Sequence, residues 1–94
     1  MEEIRLSAVA YQRDGLWIVQ AIEYDIRARA TAREEVVEAL LQAVRERIAL
    51  NRHLGRENLE GVKAAPSKFA EMFQRLAAQH QPTRADGQVE VAFA

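Results

Sequence analysis

Arg27 and Arg29 stand two residues apart, a spacing that puts both guanidiniums on one side of an extended strand. Paired guanidiniums hold phosphates or the carboxylates of an acidic partner through charge-assisted hydrogen bonds. Charges on an edge strand also discourage unwanted strand addition. Both readings stand, with the protective one favoured. Trp17 and Val19, also two apart, either fill a core or anchor an interface. Catalytic chemistry has little to draw on. A two-metal site needs several converging carboxylates, and Glu38 and Glu90 could not make one alone. His53 and His80 have no cysteine or second histidine at ligand spacing. Ser7 and Ser67 are the only serines, and neither lies in a G-x-S-x-G setting. The expectation is a protein that is not an enzyme and that uses no metal or cofactor.

Composition agrees with an ordinary globular domain. Ninety-four residues form one domain, residues 1-94, that buries roughly 60–70% of the surface of its unfolded chain. Hydrophobic residues make up 49% and charged residues 29% of the chain. Thirteen basic residues against fourteen acidic ones give a net charge of -1 with no charged block, so bulk nucleic acid is not an implied partner. The absence of cysteine suits a reducing compartment. Met1-Glu2-Glu3 is acidic where a secretory leader is basic, and no apolar run reaches the length of a membrane span. A cytoplasmic protein that does not enter a membrane is expected.

The elements that must position these residues follow from periodicity. Ile4 to Tyr11 alternates, with Ile4, Leu6, Ala8 and Ala10 on one face. Arg13-Asp14-Gly15 is a turn leading into a second strand, Leu16 to Glu23, so the pair reads as an antiparallel hairpin. The second strand is apolar on both sides, with Leu16, Ile18 and Ile22 opposite Trp17, Val19 and Ala21, as in a central strand covered on both faces. Tyr24 to Ala30 reads as the third strand, entered through a bend or bulge at Glu23-Tyr24-Asp25. Thr31 to Gly55 reads as one long amphipathic helix. Thr31 and Glu34 have the spacing of a capping box, Val37, Leu40, Leu41, Val44 and Ile48 form its apolar stripe, and Gly55 closes it. Pro66 opens a shorter helix carrying Phe69, Met72, Phe73 and Leu76 and ending near Gln79. Gln81 to Gly87 reads as a polar connection, and Gln88 to Phe93 as a fourth strand. Three antiparallel strands and a return through two helices place the fourth strand beside the first. The expected α+β fold is a two-layer, four-stranded mixed sheet of order 3-2-1-4.

Asp14-Gly15-Leu16-Trp17-Ile18-Val19, then Glu23-Tyr24-Asp25-Ile26, then Thr31-Ala32-Arg33-Glu34-Glu35 opening a helix, together resemble the HicB-like antitoxin superfamily. That resemblance implies a strand-strand-strand-helix-strand core of degenerate ribonuclease H type. Here Glu35-Val36 replaces the usual Glu-Ala. A ribonuclease H active site would need a carboxylate on the first strand, and Ile4 to Tyr11 has none. Relatives of this kind carry a separate DNA-binding segment after the core, whereas here Pro66 to Gln79 is one helix followed by a strand. Direct DNA binding is therefore not expected.

The resemblance implies a protein-interaction module that binds and masks a toxin-like partner. The alternative is a small-molecule sensor with a pocket between the sheet and the second helix. Trp17, Val19, Arg27 and Arg29 are the candidate partner or dimer surface. The main helix covers one face of the sheet, and both faces of the second strand are apolar. If the second helix shares the side of the first, a second copy of the chain must cover the other face. A homodimer with Trp17 near its interface is the expectation.

Overall fold

The computed structural model describes residues 4–94. Met1, Glu2 and Glu3, on which the expectation about a leader rests, lie outside the described residues. The chain runs β1 (Leu6–Arg13), β2 (Leu16–Ala21), β3 (Arg27–Ala30), a 3-10 turn (Arg33–Glu35), α1 (Val36–His53), α2 (Ser67–Gln79), β4 (Thr83–Ala85) and β5 (Val89–Phe93). The class is α+β. The sheet is mixed, in the order β3-β2-β1-β5-β4, with β5 parallel to β1 and the other pairs antiparallel. It has five strands rather than four, because Thr83–Ala85 pairs with β5 at the outer edge. Its hairpin turns through Asp86 and Gly87, both at positive φ, as Asp14 and Gly15 turn the first hairpin. This dipeptide suits two left-handed residues in succession.

The helices occupy opposite faces, so the molecule has three layers rather than two. On one face Leu6, Ala8, Ala10, Val19 and Val91 pack against Val36, Leu40 and Val44 of α1. On the other, Val9 and Ala92 pack against Phe69, with Met72, Phe73 and Leu76 of α2 alongside. The segment between the helices carries the chain round the end of the sheet. There the Asp25 amide donates to the Lys63 carbonyl (2.6 Å) and the Ala65 amide to the Ile22 carbonyl (3.0 Å). Residues 22–25 spend backbone groups on this crossing, which is why β3 starts at Arg27 and not at Tyr24. With α2 on the second face, the apolar surface that called for a second copy is already covered.

Local signals set the ends of α1. Its capping differs from the Thr31–Glu34 box: the Glu35 carboxylate accepts from the Ala32 amide (3.1 Å) and from the Thr31 hydroxyl (2.9 Å), and a 3-10 turn precedes the α-helix. At the other end Gly55, at φ 77, closes a Schellman motif. The Arg56 amide donates to the Asn51 carbonyl (2.7 Å) and the Gly55 amide to that of Arg52 (3.0 Å). Asn51 is 1% exposed on the buried side of α1, and its amide nitrogen donates to the carbonyls of Asn58 (2.8 Å) and Glu60 (3.1 Å). That pins the loop beneath which Leu59 is buried.

Each face therefore depends on its own helix. Leu40→Ala should cost about 2–5 kcal/mol and Phe69→Ala about 3–5 kcal/mol, measured by chemical denaturation. An unchanged midpoint for Phe69→Ala would mean that α2 does not hold the second face. Because both faces are covered within one chain, sedimentation equilibrium should return a mass near 10.6 kDa.

Candidate functional site

Among the described residues β3 pairs only with β2, so its other edge is open. The Ala21 amide donates to the Ile26 carbonyl at 2.9 Å. By the alternation of an antiparallel ladder, Ala28 and Ala30 also turn their backbone groups toward β2, while Arg27 and Arg29 turn theirs outward. The same two residues project exposed side chains on the α2 side of the sheet. Backbone and guanidinium groups are thus presented together along one edge.

A buried carboxamide holds this edge in place. Gln20 is 1% exposed. Its nitrogen donates to the Ala21 carbonyl (2.9 Å) and the Asp25 carboxylate (3.0 Å), with a longer contact to the Ile26 carbonyl (3.4 Å). Its oxygen accepts from Arg27 Nε at 3.0 Å. Arg27 also lies over the Phe69 ring at 5.8 Å, and Lys68 Nζ lies over the same ring at 5.1 Å. These contacts orient Arg27 through Nε and leave its terminal nitrogens for a partner. Arg29 makes no ion pair among the described residues.

Beside the same edge, where α1 begins, lies an open groove of about 650 Å³, lined by Leu16, Arg29, Ala30, Thr31 and Ala39, with Glu34 and Glu38 at its rim. Glu38 pairs with Arg45 at 2.6 Å, an exposed contact that adds little to stability. A second cleft of about 430 Å³ lies where α2 ends against β5, lined by Arg33, Leu76, His80, Thr83 and Phe93. Arg33 stacks over the Phe93 ring at 4.0 Å.

The four residues singled out from the sequence separate into two pairs. Arg27 and Arg29 come together on the open edge. Trp17 and Val19 lie on the face covered by α1, so the indole is not on the far face. Val19 is fully buried, and Trp17 packs edge-on against Phe93 at 5.7 Å. The groove beside β3 had no distinct signal in the sequence, because Ala30 and Ala39 become its walls only when α1 is laid over β3. Glu38 projects from α1 and Glu90 from the opposite face of the sheet, where it lies 3.7 Å from Arg84. Among the described residues, no group of three or more acidic or histidine side chains is placed to hold a metal ion, and no helix is long and apolar enough to cross a membrane. Comparison with protein-family models, curated proteins and solved structures gives no match.

Gln20→Ala removes the contacts that hold the start of β3 and leaves buried backbone groups without a partner. It should destabilise the fold by about 1–3 kcal/mol. Hydrogen exchange should quicken at the Ala28 and Ala30 amides. Unchanged exchange there would show that the edge is held without this side chain.

Proposed function

We propose that this chain is a non-enzymatic protein-interaction module that takes up an extended segment of a partner protein along the open edge of β3. The observation that carries this reading is the pairing of outward backbone groups with an adjoining groove at Arg27 to Ala30. The residues resembling the HicB-like antitoxins point to a toxin-like partner, masked by occupation of its surface. Two amides and two carbonyls on this edge would contribute roughly 0.5–1.5 kcal/mol per hydrogen bond. Association itself costs about 4–15 kcal/mol. Main-chain pairing alone is therefore too weak, and the side chains beside the edge must supply the rest.

A second reading is supported by the cleft of about 430 Å³ between α2 and β5, whose size and mixed lining suit a small polar ligand. On that reading the chain is a sensor domain.

Co-expression with a toxin-like protein encoded beside this chain tests the first reading. The two should co-purify in fixed proportion, growth arrest by the toxin-like protein should be relieved, and hydrogen exchange should slow at the Arg27 and Arg29 amides. Arg29→Pro removes an outward amide without touching the β2 ladder, and should abolish the complex while the fold persists. A complex that survives this substitution, or protection elsewhere, would reject β3 as the site. A small molecule that raises the melting temperature, with no protein partner in pull-downs, would favour the cleft.

A further inference from the structure

We infer that the segment taken up at β3 carries acidic side chains at two alternate positions, opposite Arg27 and Arg29, with an apolar residue between them. This rests on the strand-addition reading and adds to it a rule for the partner. In an added antiparallel strand, residues directly opposite one another place their side chains on the same face. The positions facing Arg27 and Arg29 would therefore point to the α2 side, where Arg27 and Lys68 lie against the Phe69 ring and strand alternation directs Arg29. The intervening residue would point to the α1 side, toward Ala30 and Ala39 in the groove. The carboxylates Glu34, Glu35 and Glu38 line that groove together with Arg29, so they disfavour a further acidic residue at the intervening position. An acidic–apolar–acidic pattern is the one that satisfies both sides.

The same geometry argues against a second copy of this chain as the occupant. Two β3 edges paired about a two-fold axis would bring Arg27 and Arg29 of each copy onto one face, arginine against arginine. Like charges directly opposite in a sheet are destabilising. The edge thus rejects itself and selects a strand of opposite charge, a use of repulsion for specificity.

Three blocked heptapeptides test the rule: Thr-Val-Glu-Val-Glu-Val-Thr, and its counterparts with glutamine or lysine in place of both glutamates. Binding is followed by fluorescence anisotropy and by the amide NMR signals of Arg27 and Arg29. The acidic peptide should bind roughly twofold to thirtyfold more tightly than the glutamine peptide, the combined effect of two exposed ion pairs. The lysine peptide should bind most weakly, and added salt should narrow the spread. Arg29→Glu, at a side chain with no ion-pair partner among the described residues, should remove or invert the preference while the thermal midpoint stays put. Equal binding of all three peptides, with the Arg27 and Arg29 signals moving, would overturn the acidic rule and leave strand addition standing. No binding by any peptide, or binding that leaves those signals unmoved, would overturn strand addition and the rule with it.

Discussion

A sheet with apolar side chains on both faces is stable in water only when each face is covered, and this chain has two helices with which to do it. The outcome depends on how the segment between them travels. It passes round the end of the sheet, where the Asp25 amide meets the Lys63 carbonyl and the Ala65 amide meets that of Ile22. These contacts divert the chain from one face to the other, so that Phe69 lands on Val9 and Ala92 while Leu40 stays on Leu6, Ala8 and their neighbours. They also consume backbone groups that a longer third strand would have used. The covering of the second face and the shortness of β3 are therefore two results of one crossing.

Two buried amide side chains support this arrangement where backbone pairing alone would leave gaps. Gln20 ties the bend at residues 21–26 together and aligns Arg27. Asn51 ties α1 to the loop at residues 58–60. The Asn51 oxygen has no partner among the described residues, so this joint carries a desolvation cost that its nitrogen's two bonds must offset. Polar groups placed this way specify one loop path over others, because any shift leaves buried donors or carbonyls unpaired.

The open edge takes its character from the same parts. Its backbone direction follows from the β2 ladder, its charge from Arg27 and Arg29, and its groove from α1 crossing over β3. An exposed edge invites pairing with any extended chain. On the proposed reading, the arginines and the glutamates of the groove restrict this edge to strands that match both. Protection from self-association and the proposed recognition of a partner, which look like rival explanations of two arginines in a strand, call for the same charge pattern.

Much of the fold was legible in the residues themselves. Alternation in Ile4 to Tyr11, the Asp14-Gly15 turn and the apolar stripe from Val37 to Ile48 are local patterns, and a local pattern specifies its element whatever the rest of the chain does. The closing strand's place beside the first followed from strand directions. Thr83–Ala85 was missed, although Asp86-Gly87 repeats the dipeptide of the first hairpin, because three residues carry no periodicity of their own. That strand exists because β5 offers it an edge. The capping carboxylate was placed one residue early, since Glu34 and Glu35 are chemically alike and only the geometry of the first turn chooses between them. Arg27 and Arg29 could be read as a pair, but the groove beside them could not, nor could the burial of Val19 under α1. The sequence by itself determined which stretches extend, which coil and which side of each is apolar, because those depend on neighbours along the chain. Only the tertiary structure decided which face each helix covers and which strand edge stays open, because those depend on where the inter-helix segment finds partners for its backbone.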